Sequence, residues 1–399
     1  MTTFSATEDP TKLPATGDRT KGEWRGRFPY NDIISLLDVN RPLNLAESTS
    51  QDLTVGEILD LADLDSIRSL KLGYGKSAGA VALREAISEV CGVPAEYVVT
   101  TQGTALGLFL LAFEVCRPGD EAVLLTPCFP PSRDCLTGAG VHVQEVKLSF
   151  ENGFRLNLSA IEAKLSTKTK LVSLASPQNP SGVQTSREEI EDLLALMKRA
   201  APQAVLFVDE TYREATYGDK LPMESVASLD LRVVTGASVS KALGAPGLRT
   251  GWLTIADPDL RARITIAKMN TVISGSVLDE ALATVLIQKR SGVLESRRRL
   301  LAGALTKLAG WCESEATRVE WVRPNAGALC CVRLRADVFD DRAVEKFWDV
   351  LPGHDLQLAS GSWFGEENRS FRLGFGYLPP ERLGPALTAL SMAMDASLS

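Results

Sequence analysis

The sequence predicts an α/β protein whose large domain has three layers around a mostly parallel sheet, with a smaller α+β domain beside it. Between residues 79 and 235, short apolar strands alternate with helix-like segments, as in a parallel sheet covered by helices on both faces. The chain has 399 residues, more than a single hydrophobic core usually serves, so a second domain is expected.

The predicted elements of the large domain follow in order. Helical patterns cover residues 80–90 and 105–115. Aliphatic and β-branched runs indicate strands at 97–100, 122–125, 141–146, 171–174, 205–208 and 231–235.

A boundary near residue 290 separates the predicted small domain. Residues 291–308 form one predicted helix, and the arginines at 297–299 are interpreted as a solvated face. Strands at 319–322, 328–334 and 370–375 complete an α+β unit. The predicted division is a mobile arm (1–23), a segment packing on the small domain (24–70), the large domain (71–290) and the small domain (291–399).

The composition excludes several classes of function. A net charge of −7 disfavours a nucleic-acid partner, which requires clustered Lys and Arg. The sequence shows neither a membrane span nor a signal peptide. Seven scattered cysteines and two histidines lack the spacing of a metal site or of a disulfide framework. A cytoplasmic protein without membrane or nucleic-acid partners is expected.

Lys241 is the first candidate for chemistry. It lies among small residues just after the strand predicted at 231–235. Lysine amines form Schiff bases with carbonyl compounds, and enzymes that hold pyridoxal phosphate anchor it in this way. Arg249 follows with a planar guanidinium suited to a phosphate. Taken alone, the segment also fits a surface turn with two ordinary charges.

Other polar residues follow predicted strands, where ligands of parallel α/β sheets bind. Gly103, Thr104 and Ala105 join a strand to a helix N-terminus, which suits an anion or merely caps the helix. Asp209 can pair with a pyridinium nitrogen, and Tyr212 can face the same side. The alternative is that Asp209 caps a helix and Tyr212 packs on the sheet.

Two further strand ends carry candidate ligands. Asn179 lies in a tight turn with Pro180 and Gly182, which presents its amide as a donor; such turns are also common without function. Phe129 follows another strand, where its ring can stack on a flat cofactor or pack in the core.

Together these segments resemble the fold-type I aminotransferases, the class I/II family built on the aspartate aminotransferase fold. The resemblance covers nearly the whole chain from about residue 70 and keeps the family order. It is carried by the block Ser238-Val239-Ser240-Lys241 with Pro246-Gly247-Leu248-Arg249-Thr250-Gly251-Trp252, and by Asn179-Pro180-Ser181-Gly182, Asp209-Glu210-Thr211-Tyr212, and Tyr74 followed by Gly79.

The resemblance implies pyridoxal 5′-phosphate as cofactor and a homodimer with shared active sites. Lys241 would form the Schiff base and shuttle protons, and Tyr74 would reach the phosphate in the partner subunit. Residues 24–70 would also reach the dimer interface. The remaining implied cofactor contacts are the phosphate ligands Gly103, Thr104, Ser238 and Arg249, further contacts at Ala105 and Ser240, Asp209 at the ring nitrogen, Asn179 and Tyr212 at the ring oxygen, and Phe129 stacked on the ring.

The substrate contacts implied by the resemblance are Arg372, Asn179 and Glu47. Arg372 matches the arginine that binds the substrate α-carboxylate; without that match it would indicate a surface charge. Glu47 lies in a segment that borders the substrate side chain and favours a polar or cationic substrate. Residues 269–276 contain no arginine, so a second carboxylate clamp for dicarboxylates is not evident.

The predicted activity is transfer of an amino group from an L-amino acid to a 2-oxo acid. One alternative is a pyridoxal-phosphate-dependent lyase or cyclase acting at the β- or γ-carbon, because residues 53–59 and 372–376 look similar to the capreomycidine synthases, which cyclise a hydroxylated arginine. A remote alternative is a non-catalytic regulator with this fold, which the short, roughly neutral arm and the negative net charge disfavour.

Overall fold

A computed structural model describes residues 26–399, so the arm predicted over residues 1–23 lies outside the described residues. The strands in chain order are β1 (Leu43–Asn44), β2 (Val98–Thr101), β3 (Glu121–Thr126), β4 (His142–Lys147), β5 (Thr169–Ala175), β6 (Val205–Asp209), β7 (Val233–Ser238), β8 (Gly251–Ile255), β9 (Val319–Val322), β10 (Leu329–Leu334), β11 (Leu356–Gln357), β12 (Ala359–Ser360) and β13 (Ser370–Gly374).

The α-helices surround these strands. In chain order they are α1 (Ser35–Asp38), α2 (Val55–Leu59), α3 (Leu64–Arg68), α4 (Val81–Cys91), α5 (Gly103–Val115), α6 (Pro130–Gly138), α7 (Leu158–Glu162), α8 (Arg187–Ala200), α9 (Pro258–Val272), α10 (Val277–Gln288), α11 (Arg290–Ser314), α12 (Asp341–Val350), α13 (Gly361–Phe364) and α14 (Pro380–Leu398).

The central sheet has the predicted mostly parallel character. Within residues 26–399, seven strands form it in the order β2-β8-β7-β6-β5-β3-β4. Strand β8 runs antiparallel to both of its neighbours, and the other neighbouring pairs are parallel. The predicted α/β fold with a mostly parallel sheet is confirmed.

Helices cover both faces of this sheet because successive strand residues point to opposite sides. Leu206 and Val208 of β6 pack in one buried cluster with Leu193 of α8. Phe207, between them, packs in a different cluster with Leu111 of α5. These two clusters produce the three layers.

The C-terminal unit contains an antiparallel sheet in the order β12-β13-β10-β9. The N-terminal segment crosses to this unit, because β1 pairs in parallel with β11 through Leu43–Leu356 and Asn44–Gln357. Residues that follow β1 then return along the junction of the two units. This path brings the N-terminal segment beside the carboxyl ends of the large sheet.

The prediction of a solvated face at residues 297–299 is wrong for Arg297. Arg299 is exposed, whereas Arg297 is only 8% exposed and donates from Nη2 to the Gln51 carbonyl at 2.7 Å. Consecutive residues of a helix point about 100° apart, so three in a row cannot share one face. A charge run therefore does not predict the exposure of each member.

The seven cysteines are all buried free thiols. Burial raises the pKa of Cys128 to about 12, so its thiol stays protonated and unreactive.

Among the helices of residues 26–399, none has both the length and the apolar character to cross a membrane.

Candidate active site

A cavity of about 650 Å³ opens at the carboxyl ends of the parallel strands. Asp209 ends β6, Lys241 follows β7, Asn179 follows β5 and Phe129 follows β3. All predicted site residues except Tyr74 and Arg372 line the cavity: Glu47, Gly103, Thr104, Ala105, Phe129, Asn179, Asp209, Tyr212, Ser238, Ser240, Lys241 and Arg249.

The Lys241 amine is held by a residue that sequence reasoning missed. Its Nζ donates to Ser48 Oγ at 3.1 Å, and the Tyr212 hydroxyl donates to the same oxygen at 2.9 Å. The amine also lies 5.8 Å from the centre of the Tyr212 ring. Asn179 Nδ2 donates to the Tyr212 hydroxyl at 3.5 Å, which extends the chain of contacts across the cavity.

The start of α5 forms a cradle for an anion. Gly103 opens this helix at a φ of +76°, and the Gln102 side chain makes no capping hydrogen bond there. A Cβ atom at Gly103 would lie 2.6 Å from Arg249 Nη2, and one at Gly251 would lie 2.8 Å from the Thr104 nitrogen. Glycines at both positions therefore let the Arg249 guanidinium approach the open helix N-terminus, where backbone N–H groups bind anions.

Hydroxyl groups complete the cradle. Ser238 ends β7 and its Oγ accepts from the Ser240 backbone nitrogen at 3.3 Å. Both serines line the cavity together with Arg249. Hydroxyls, backbone N–H groups and a guanidinium are the donors that bind phosphate. The cradle therefore fits a phosphate group.

Asp209 is the acidic group on the floor of the cavity. The Thr211 nitrogen donates to Asp209 Oδ1 at 3.0 Å, and the Thr211 hydroxyl donates to the same oxygen. Burial raises the pKa of Asp209, while these hydrogen bonds and the charge of Lys241 oppose that rise. Thr211 Oγ1 also lies 3.2 Å from Thr104 Oγ1, so this threonine links the acid to the anion cradle.

Arg372 does not line the cavity; it lies behind Asn179 on β13, with 2% of its surface exposed. Nη1 donates to Asn179 Oδ1 at 3.0 Å and Nη2 to the Ala46 carbonyl at 2.6 Å. The guanidinium lies 4.9 Å from the Phe364 ring centre, and its Nε has no hydrogen-bond partner among the described residues. Burial lowers the pKa of Arg372, although Tyr212 and Glu47 oppose this.

One wall of the cavity is acidic. Glu47, Asp52 and Tyr377 all line it, and sequence reasoning identified only Glu47. Burial and the charge of Glu47 raise the pKa of Asp52. Burial and the charges of Asp52 and Glu47 also raise the pKa of Tyr377. A Cβ atom at Gly374 would lie 1.6 Å from the Glu47 carbonyl oxygen, so the glycine lets this wall approach β13.

Tyr74 is the second predicted residue that does not line the cavity. It is 87% exposed. The next residue, Gly75, donates its N–H to Ser274 Oγ at 3.3 Å, so this segment lies beside residues 273–276.

Known proteins with similar sequence or structure were found. The chain matches the family described as aminotransferase class I and II over residues 35–390. It is 30% identical to capreomycidine synthase of Streptomyces vinaceus over 368 residues, which are 91% of this chain and 92% of that protein. It is 26% identical to arginine–pyruvate transaminase AruH of Pseudomonas aeruginosa, over 85% of this chain and 84% of that protein.

A solved pyridoxal-phosphate-dependent aminotransferase from Streptococcus suis has the same fold. The TM-score is 0.84 at 24% identity, over 92% of this chain and 98% of that one. The family expected from the motifs is confirmed, and pyridoxal 5′-phosphate is its cofactor. The cavity fits this cofactor, because it is lined by the anion cradle at α5, by the Asp209 carboxylate and by Lys241. The chain belongs to the class I and II aminotransferases, a family of pyridoxal-phosphate-dependent enzymes.

Proposed function

We propose that this enzyme transfers the amino group of an L-amino acid, with a polar or cationic side chain, to a 2-oxo acid. The observation that carries the proposal is the placement of the Lys241 amine. It enters the cavity beside Ser48 and Tyr212, and Tyr212 is connected through Asn179 to the buried guanidinium of Arg372. Hydrogen bonds thus connect an amine in the cavity to a guanidinium that lies behind Asn179 and could bind a carboxylate.

Lys241, Asp209 and Arg249 have separate roles in the proposed reaction. Bound pyridoxal phosphate supplies an electron sink for the α-carbon of the amino acid. Lys241 holds the cofactor and moves the α-proton, because its Nζ lies in the cavity at Ser48. Asp209 stabilises a positive charge on the ring nitrogen, since Thr211 fixes its carboxylate in a buried position. Arg249 and the N-terminus of α5 bind the phosphate.

Arg372 binds the substrate α-carboxylate in this proposal. Its Nη1 is already shared with the Asn179 side chain at the cavity, so a carboxylate there can compete for the same planar donors. Asn179 therefore lies between Arg372 and the Tyr212 hydroxyl, which would bind the ring oxygen of the cofactor.

The acidic wall determines the class of side chain. Glu47 and Asp52 repel a substrate with a second carboxylate and attract a cationic group. Residues 269–276 also offer no arginine for a second carboxylate. The similarity to a relative named for arginine and pyruvate supports a cationic amino donor.

A second candidate is a lyase or cyclase that acts at the β- or γ-carbon of a similar amino acid. The 30% identity to capreomycidine synthase favours it. Both reactions begin with loss of the α-proton, so Lys241, Asp209 and Arg372 serve either one.

One experiment separates the two activities. The protein is incubated with pyridoxal phosphate and an amino acid whose nitrogen is isotopically labelled, with and without a 2-oxo acid. Transamination moves the label to a new amino acid and needs the acceptor for continued turnover. A lyase or cyclase turns over without an acceptor. A non-catalytic regulator binds the cofactor and turns over nothing, and a normal rate in Lys241→Ala contradicts the assigned role of the lysine.

We further propose that the enzyme is a homodimer in which Tyr74 reaches the partner's cofactor. Leu72, Tyr74 and Ile273 are 80%, 87% and 53% exposed. The hydrogen bond from Gly75 to Ser274 brings their segments together. Large apolar side chains exposed in adjoining segments are typical of an interface.

A further inference from the structure

Arg297 is a buried cation from the C-terminal unit. It lies on α11, is 8% exposed, and donates to the Gln51 carbonyl at 2.7 Å. Its sequence neighbour Arg299 is on the surface, where it pairs with Glu295 at 3.5 Å. The two arginines thus share a helix and differ in environment, so one is a matched control for the other.

The turn that follows Lys241 packs against this buried contact. The Gly244 N–H donates to the Lys241 carbonyl at 3.2 Å, and the Gly244 carbonyl accepts from the Leu53 nitrogen at 2.7 Å. A Cβ atom at Gly244 would lie 2.4 Å from both Arg297 Nη2 and the Gln51 carbonyl oxygen. At Gly244, helix α11, residues 51–53 and the lysine turn therefore pack with no room for a side chain.

The segment that Arg297 holds carries groups of the active site on both sides of Gln51. Ser48 accepts the hydrogen bond from the Lys241 amine at 3.1 Å. Asp52 lines the cavity with Lys241. The charges of Arg297 and Lys241 both favour the ionised form of Asp52 and oppose the rise of its pKa.

We propose that Arg297 is a positioning residue, which fixes Gln51 and thereby holds Ser48 at the Lys241 amine and Asp52 on the cavity wall. The inference rests on the proposed role of Lys241 and holds for transamination and for elimination alike. A buried hydrogen bond from a charged donor is stronger than a neutral one, and its removal leaves the carbonyl unpaired.

The kinetic test uses the full chain loaded with pyridoxal phosphate, at a temperature where each variant is fully folded by thermal unfolding. Arg297→Gln is expected to lower kcat/KM for the amino donor roughly tenfold. The rise in KM should be larger for a cationic donor than for a neutral one, because Asp52 loses its position. Arg299→Gln is expected to match the parent, and Arg297→Lys should restore most of the loss because it keeps a charged donor.

A spectroscopic test does not depend on turnover. The visible absorbance of the bound cofactor changes with pH, and the midpoint reports the charges around the Lys241 nitrogen. The charged and titratable groups that line the cavity with Lys241 are Glu47, Asp52, Asp209, Tyr212, Arg249 and Tyr377. Arg297→Gln should move this midpoint upward by roughly half a pH unit. The substitution removes a positive charge that offsets the negative charge of Asp52, and the remaining negative charge favours the protonated form of the Lys241 nitrogen. Arg297→Lys and Arg299→Gln should leave it in place.

Arg297→Met keeps the length of the side chain but removes its charge and its hydrogen-bond donor to Gln51. It should also move the midpoint, and it carries the test if Arg297→Gln does not fold. The inference is overturned if these variants lose thermal stability while the midpoint and kcat/KM stay at parent values. If the parent turns over no amino acid, the proposed function fails, and the absorbance titration still decides on Arg297.

Discussion

The amine of Lys241 lies 3.1 Å from the hydroxyl oxygen of Ser48, a residue 193 positions earlier in the chain. The Tyr212 hydroxyl donates to the same oxygen at 2.9 Å. A hydroxyl oxygen has two lone pairs, so it can accept both bonds at once. One serine of the N-terminal segment thus joins two groups of the large unit that line the cavity.

Ser48→Ala should lower kcat roughly tenfold with a smaller change in KM, because the Lys241 amine loses an acceptor that orients it. The matched control is Ser50→Ala. The Ser50 hydroxyl is equally buried, and within residues 26–399 it has no hydrogen-bond partner. Steady-state kinetics of both variants check the prediction, and equal rates in Ser48→Ala and the parent would contradict it.

Asp209→Asn should reduce kcat roughly 100-fold or more while the cofactor remains bound, because the amide cannot stabilise a positive ring nitrogen as a carboxylate does. Its neighbour Glu210 is the control. Glu210 pairs with Arg213 at 3.3 Å and accepts from Ser225 at 2.7 Å, away from the cavity. Glu210→Gln should lower the melting temperature, whereas Asp209→Asn should lower kcat. The assignment of Asp209 to the reaction would be contradicted if Glu210→Gln lowered kcat and Asp209→Asn lowered only the melting temperature.

Arg372→Lys should raise KM for the amino donor roughly 10- to 100-fold, because an ammonium group cannot provide two parallel donors to a carboxylate. Cofactor affinity should stay near that of the parent, since Arg372 lies behind Asn179. Arg335→Lys, which changes a surface pair with Asp337, is the control. A KM unchanged in Arg372→Lys would place the carboxylate elsewhere.

The raised pKa of Asp52 predicts a pH dependence with a definite sign. Its ionised form is less favourable in the folded chain than in the unfolded one, so its contribution to stability falls as pH rises from about 3.8 through the folded pKa. Asp52→Asn should therefore raise the melting temperature slightly at neutral pH and lose this advantage in acid. Unfolding scans across pH measure both effects.

The same residue predicts an effect on substrate binding. In the parent, KM for a cationic donor should rise as pH falls through the raised pKa of Asp52, because the wall loses its charge. A neutral donor should show no such rise, and Asp52→Asn should remove the difference between the two donors. Parallel KM profiles for cationic and neutral donors in the parent would argue against the acidic wall as a specificity determinant.

Mixed dimers test the proposed sharing of the active site. Tyr74→Ala and Lys241→Ala are each expected to be strongly impaired alone. When the two chains are unfolded together and refolded as hybrids, one site combines an intact lysine with the partner's intact tyrosine and should recover activity. Hybrids that remain as inactive as the separate variants would contradict a Tyr74 that crosses the interface.

The fold and the family were predictable because their signals are local. Strands such as β6 are short apolar runs, and polar residues that follow several parallel strands meet at one edge of the sheet. Asp209, Lys241 and Asn179 can therefore be grouped from the sequence alone, and all three line the cavity. Strand boundaries were less predictable: β7 runs to Ser238 rather than ending at 235, which brings the strand end close to Lys241.

By itself the sequence determined the family, the cofactor and the mostly parallel sheet, since motifs and strand patterns depend on neighbouring residues. Only the tertiary structure decided that Ser48 holds the lysine, that Asp52 and Tyr377 join Glu47, and that Arg297 is buried. The contact from Arg297 to Gln51 spans 246 residues. Such contacts arise where separate elements pack together, and no local pattern of residues records which distant segment will occupy that space.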